Sequence, residues 1–442
     1  MARRRLDQVD AMRPIKQAGV ISTHSILFFA PAAATVGSNA ALLLFHVSRE
    51  GFFFISACML TYAYIGLSLR DGTGLRRFYW RRTISVLIPY LCWTVIYFLY
   101  LLPTAHYRSV PSALAHLEWM AEIGYDQLYF LLVIMQFYLV FPLVLMLLRR
   151  TRGHHGLVIA MAAAAQVAIT IGGHWDLLPT LMERYEQQDG LSYLLYLIGG
   201  SVVAFHLDEV HDWVCGHVRL IVALTAAAAL AAEGIYFLAL HGVTTVLGSG
   251  SDFLQPSVIP FNIGAIACGY LAGVALARPS RSRRAKAAVR VGVDDAFGIY
   301  LSQMVFITAL IWLGWDRLSS VVPWPLLCAA SVAIIFGCCI ALTALLARTP
   351  LAVPLTGRQR VPWPSLRSRR RQGPAAQSPA TDPEPITTDP EPVTTASQLA
   401  TTASSAIATG PQLATADLRP ETDLSRPEAA ALAVMAYHKN GA

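Results

Sequence analysis

The chain has 442 residues, of which 55% are hydrophobic and only 14% charged, with a mean hydropathy of +0.49. Soluble domains carry about 25% charged residues, so a cytosolic enzyme is disfavoured, and apolar runs of helix-spanning length point to an integral membrane protein. The net charge of +7 is divided unevenly: residues 372–442 hold eight acids and three bases, which leaves +12 on residues 1–371. That excess is spread through short loops rather than gathered in a patch with interleaved aromatics. It fits anionic lipid headgroups and argues against nucleic acid as a partner.

Windows of about twenty apolar residues predict ten spans, near 14–35, 45–69, 84–102, 127–148, 156–173, 191–207, 218–240, 257–277, 294–315 and 324–347. The expected fold is therefore all-α, a polytopic membrane helix bundle. Arginines crowd alternate loops: Arg3–Arg5, then Arg70 to Arg82, Arg149 to Arg152, Arg278 to Arg290 and Arg348 to Arg371. The positive-inside asymmetry puts these loops and both termini in the cytoplasm, with an even number of spans. The start, Met1 to Arg13, does not read as a removed signal peptide, because Lys16 and His24 interrupt the apolar stretch after it. Residues 1–350 form the expected transmembrane domain and 351–371 a basic juxtamembrane segment. Residues 372–442 are rich in Pro, Thr, Ala and Ser, with a near repeat at Thr381 and Thr388, and read as a disordered cytoplasmic tail.

Seven cysteines show neither a disulfide framework nor CxxC spacing. They read as small apolar side chains of helix interiors, and no metal site is expected.

Polar groups at membrane depth are costly, and each is a candidate for function or for helix-packing hydrogen bonds. They are His24, Glu50, Gln136, Glu233, Asn262 and Gln303. Arg13 and His24 are eleven positions apart, about three turns and about 16 Å of rise, so they share a helical face. If the helix starts near Arg13, His24 sits about halfway through a hydrocarbon core of roughly 30 Å. A guanidinium at the surface suits phosphate recognition, and an imidazole at depth suits proton abstraction from a hydroxyl. A long donor such as an acyl-CoA, with phosphates at one end and a thioester at the other, would match that division.

Five segments resemble the acyltransferase 3 family of integral-membrane O-acyltransferases. Leu6 to His24 is similar to the family's opening helix, with its Asp, Arg and, after ten residues, His; here these are Asp10, Arg13 and His24. Gly51 to Leu60 (GFFFISACML), with Ser56, looks like a Phe-Phe-x-x-Ser-Gly stretch, and Phe78 to Tyr90 resembles the basic entry to the third helix. Tyr125 to Leu143 is similar to the fourth-helix region of polysaccharide-modifying and adhesin-associated members, and Ala296 to Gln303 to a Gly-x-Tyr-Leu stretch. The resemblance covers nearly all of residues 6–347 and implies about ten spans in a bacterial plasma membrane. By it, His24 would be catalytic and Arg13 and Arg82 would bind acyl-CoA. Asp10, Glu50, Ser56, Tyr300 and Gln303 are candidate supporting residues. Departures fall at Ala57, Ser85, Gln127 and Gln303, where the family pattern has Gly, Arg, His and His. Pro14 disfavours α geometry at Arg13 and suggests that the helix begins there.

The expected activity is transfer of an acetyl or other short acyl group from acyl-CoA, as donor substrate rather than resident cofactor, to a hydroxyl of a saccharide, glycolipid or secondary metabolite. Ser22, Thr23, Tyr300 and Gln303 are candidate oxyanion donors. A transporter or flippase for a saccharide or lipid-linked intermediate would use the same polar groups as a path, but the two halves show no visible repeat. A scaffold would make His24→Ala silent.

Overall fold

The structure, a computed structural model, describes residues 6–362 apart from 32–33, 70–71, 104, 106, 108, 176, 244, 249–253 and 279–280. Of the loop arginines that set the expected topology, Arg3–Arg5, Arg70 and Arg108 lie outside the described residues, as do 363–371 and the expected tail 372–442. The described residues are helical and contain no strand; one antiparallel bridge joins Thr245 and Gly248.

The principal helices are α1 (Met12–Phe29), α2 (Thr35–Phe45), α3 (Val47–Tyr64), α4 (Gly72–Arg82), α5 (Ile88–Leu101), α6 (Val110–Ile123), α7 (Tyr129–Arg150), α8 (His155–His174), α9 (Leu194–Val203), α10 (Leu207–Gly216), α11 (Val218–Leu240), α12 (Ile259–Ala277), α13 (Arg283–Trp312) and α14 (Trp324–Leu346). Among the described residues, eight helical stretches are long and apolar enough to cross a membrane, and a ninth if Gly190–Val203 and Leu207–Gly216, bent by 103°, form one broken span. This is a multi-pass membrane bundle.

The first expected span, 14–35, is not among them. Its helix, α1, carries Arg13, Lys16, Gln17 and His24, which lower its hydropathy. It packs instead against α2, α3, α12, α13 and α14, and a helix enclosed by others has no need of an apolar outer face. Its side chains serve two cores: Ile21, Ile26 and Phe29 pack with Trp93, Tyr97, Leu301 and Ile335, whereas Met12 packs with Phe53, Phe141 and Tyr193. The helix begins at Met12, two residues before Pro14. Pro14 falls in the first turn, where a helix has no backbone partner for its N–H groups in any case. At the other end Ala30, which precedes Pro31, is extended and stops the helix.

Between α4 and α5 the chain makes a π-helical turn, Thr83–Leu87. Pro89 accounts for it: the ring has no N–H for the Ser85 carbonyl and would crowd it in a regular α turn. The Ser85 hydroxyl donates to the Arg82 carbonyl at 3.3 Å. Helices α3 and α9 approach closely because Gly200 has no side chain; a Cβ there would collide with the Phe54 carbonyl. Past α14, residues 351–362 of the basic segment turn back onto the bundle. Trp93 Nε1 donates to the Leu355 carbonyl at 3.0 Å, and Arg358 pairs with Asp295 at 2.5 Å.

Candidate active site

His24 stands on α1 with its Nδ1 3.5 Å from Asp126 Oδ1, and the two side chains are 14% and 16% exposed. Nδ1 is buried and has no hydrogen bond. At 3.5 Å the two atoms stand just beyond ordinary hydrogen-bond length, and a small movement converts the approach into a hydrogen bond. A proton held on Nδ1 by the carboxylate would leave Nε2 as the free base.

Asp126 owes its place to an unusual turn. Helix α6 ends at Gly124 with φ +74°, and a Cβ there would stand 2.6 Å from the Tyr129 Cα. Asp126 itself has φ +45°, the only described non-glycine residue with positive φ. Such a backbone costs of order 1 kcal/mol or more and persists only where its surroundings fix it. Here Gln127 supplies the fixing. Its Nε2 donates to Tyr97 Oη at 2.9 Å, its carbonyl accepts from the Tyr300 hydroxyl, and the Tyr97 hydroxyl donates to the Leu301 carbonyl at 2.5 Å. Tyr90 donates to the Ala121 carbonyl at 2.6 Å, tying α5 to the end of α6.

Arg13 stands at the start of α1, and Arg82 at the end of α4. Arg82 sits over the rings of Tyr64 and Tyr138 at 5.2 and 5.3 Å, and Arg13 is within electrostatic reach of Tyr138. Arg13 is one-third exposed and pairs with Asp10 at 3.4 Å; Arg82 Nε is buried without a partner. Tyr138 follows Asp126 by twelve residues, about 18 Å of rise, close to the rise of about 16 Å from Arg13 to His24. Helices α1 and α7 thus run in opposite directions, with Arg13 toward Tyr138 in the middle of α7 and His24 toward Asp126 at its head. The partner of His24 is at the head of the Asp126–Arg150 span, so the histidine stands at that end and not midway along it.

Glu50 belongs to a neighbouring buried cluster. It pairs with Arg49, whose guanidinium also reaches Tyr129 Oη at 3.4 Å and lies 4.9 Å over the Tyr193 ring. Lys16 threads between α3 and α12: a Cβ on Gly51 would meet its Cε at 2.5 Å, and one on Gly269 at 3.4 Å. Its ammonium is within electrostatic reach of Glu50.

The remaining expected site residues divide. Gln303 accepts a hydrogen bond from Gln17 at 3.3 Å, and Tyr300 caps the Asp126 turn. Ser56 is half-buried on α3, six residues past Glu50 and on another face, and is not brought to the others. The hydroxyls of Ser22, Thr23 and Tyr300 are spent on the carbonyls of Ala18, Gly19 and Gln127. Of the four expected oxyanion donors only Gln303 keeps an unpaired donor, its Nε2. Gln136 anchors the chain before α9 through the Gln188 carbonyl and Gly190 N–H, and Asn262 donates to Tyr196 Oη. Both serve packing. Glu233 Oε1 is buried without a partner, on α11. The seven cysteines are unpaired, and among the described residues no three His, Cys, Asp or Glu converge as a metal would need.

Sequence reasoning missed Asp126, Arg49, Lys16 and Gln17 as site residues. A signal existed for Gln17, which falls on the Arg13–His24 face. For Asp126 there was only an acid two residues after a glycine, at the head of an apolar run. A groove of about 720 Å³ lies along the first turns of α7, lined by Glu122, Met135, Gln136, Tyr185, Gln188 and Asp189 among others.

The architecture defines a multi-pass membrane protein, with a His–Asp contact held inside the helix bundle. A model of the acyltransferase domain of the acyltransferase 3 family matches residues 6–343, and the chain belongs to that family. No match was found among curated proteins or among solved structures.

Proposed function

We propose that this acyltransferase takes its acyl group, acetyl or another short chain, from acyl-CoA and delivers it to a hydroxyl of a cell-surface saccharide, glycolipid or secondary metabolite. The plasma membrane of a bacterium, with both termini cytoplasmic, is the setting that the arginine asymmetry supports. The observation that carries the reading is the pairing of His24 with Asp126 at one end of a ladder whose other end holds Arg13 and Arg82.

In the proposed reaction Asp126 holds the Nδ1 proton, and Nε2 of His24 takes the proton of the acceptor hydroxyl as its oxygen attacks the thioester carbonyl. The tetrahedral oxyanion collapses, the C–S bond breaks, and the imidazolium returns its proton to the departing thiolate. Asp126 stabilises the transient imidazolium through its charge. Arg13 and Arg82 are suited to the phosphates of the donor, Arg82 with its plane held by two tyrosine rings.

The test is thiol release from acetyl-CoA by purified protein in the presence of membrane extract from the source cell. Wild type is expected to release coenzyme A, His24→Ala to release it at least a hundredfold more slowly, and Arg13→Ala to require more donor. Equal release by His24→Ala would refute the assignment.

A further inference from the structure

Two imidazoles meet where α7, α8 and α10 come together. His155, buried at the start of α8, points Nε2 at the Leu148 carbonyl at 2.8 Å, and its Nδ1 is 2.8 Å from Nε2 of His206. His206, about a third exposed, closes the row with its Nδ1 2.9 Å from Glu209 Oε2. A carbonyl and a carboxylate offer only lone pairs, so the two outer nitrogens, His155 Nε2 and His206 Nδ1, carry protons. The two inner nitrogens then face each other. With no proton between them two lone pairs oppose; with two, the N–H groups collide; with one, the contact is a charge-assisted hydrogen bond of ordinary length. The row is complete only when the pair holds three protons on its four nitrogens, a single positive charge that Glu209 balances.

The pair sits at a joint. His206 precedes α10 directly, at the 103° bend between Gly190–Val203 and Leu207–Gly216, and its side chain makes no capping bond to the α10 backbone. The Leu148 carbonyl is among the last four of α7, which lack partners within the helix. Helix α10 is two-sided: Asp208, Glu209 and Asp212 are exposed, whereas Leu207, Val210 and Val214 pack in one core with Leu6, Val9 and Met12. His211 Nδ1 lies 2.9 Å from Tyr270 Oη on α12. The row therefore fixes one end of a short helix that covers the chain entering α1, the helix of Arg13 and His24.

We infer that His155 and His206 form a one-proton latch that holds α10 in place, an inference independent of the acyl-CoA reading. A single shared proton closes the latch; as the pH rises past neutrality that proton leaves, the inner lone pairs oppose, and the first turn of α10 is released. The other charged and titratable groups on the elements that meet here are Arg149, Arg150, Arg152 and His154 at the end of α7 and in the turn after it, Asp208, Glu209, His211, Asp212 and Cys215 on α10, and Tyr270 on α12. Helix α9 contributes Ile198 and Val202 to the small apolar core around Leu148. Among these residue types only imidazoles ordinarily change charge between about pH 6 and about pH 8. His154 and His211 are the competing imidazoles, and the test separates them from the latch.

The test is amide hydrogen exchange read by mass spectrometry on the full-length protein in detergent micelles, at about pH 6.5 and about pH 8, with each rate divided by the intrinsic rate at that pH. In wild type, peptides covering 204–212 are expected to exchange roughly tenfold faster at the higher pH, the worth of one charge-assisted hydrogen bond, while peptides of α13 hold steady. His206→Ala, at a partly exposed position, and His155→Ala are both expected to exchange fast at either pH, with the step gone. Absence of the step in wild type would overturn the latch. A step of full size persisting in both variants would also overturn it and assign the titration to His154 or His211. An equal rise in α13 would mark a general loosening of the bundle and count against the latch as well.

Discussion

Arg82 lies 5.3 Å over the ring of Tyr138, midway along α7, and Arg13, sixty-nine positions earlier in the chain, is within electrostatic reach of the same tyrosine. The same helix carries Asp126 to His24 at its head. One helix thus sets the distance between the cationic end and the basic end of the site, and the consequences below follow from that arrangement.

Asp126→Asn removes the charge but keeps the shape, and Asn tolerates positive φ as well as Asp does. Turnover should fall by about a hundredfold or more with little change in KM for the donor, since in the proposed mechanism the carboxylate acts on the transient imidazolium. Steady-state kinetics beside a thermal melt will show it. A melt unchanged within a few degrees and a lower kcat are expected.

Arg82→Lys keeps the charge and discards the plane that sits over Tyr64 and Tyr138. Acyl-CoA KM should rise severalfold, nearly as much as in Arg82→Ala, because the ammonium does not stack or bind bidentately. Recovery of wild-type KM by lysine would show that charge alone matters.

Gly124→Ala places a Cβ against the Tyr129 backbone in a conformation unfavourable for any L side chain. A loss of about 1–3 kcal/mol is expected, together with lower activity, because the turn that carries Asp126 must shift. Chemical unfolding and thiol release measured on one preparation give both numbers.

Glu50→Gln removes a buried carboxylate from beside Arg49 and Lys16. Breaking a buried pair by removing one member costs about 3–5 kcal/mol, so the variant should be poorly stable. Its turnover per folded molecule should fall far less than that of His24→Ala. A stable but inactive Glu50→Gln would instead make Glu50 part of the chemistry.

Much of the architecture was legible in apolar run length, since lipid demands long apolar helices whose backbone bonds close internally. The first helix was legible in a different way: Arg13 and His24 share a face by simple spacing, although the helix lacks the composition of a lipid-facing span. It can be polar because α2, α3, α12, α13 and α14 surround it. Asp126 was not legible. Its approach to His24 depends on two positive-φ residues and on Gln127 bonding to α5, all of them tertiary facts. Nor could spacing show that Ser22, Thr23 and Tyr300 spend their hydroxyls on carbonyls, or that Gln17, on the Arg13–His24 face, sits opposite Gln303.

The most direct measurement is mass spectrometry of exported glycans and small metabolites from the source cell, comparing wild type, a deletion, and the deletion complemented with His24→Ala or with Asp126→Asn. The account predicts that one acyl mass disappears in the deletion and in the His24→Ala strain, and is strongly reduced with Asp126→Asn. A wild-type profile restored by His24→Ala would contradict it.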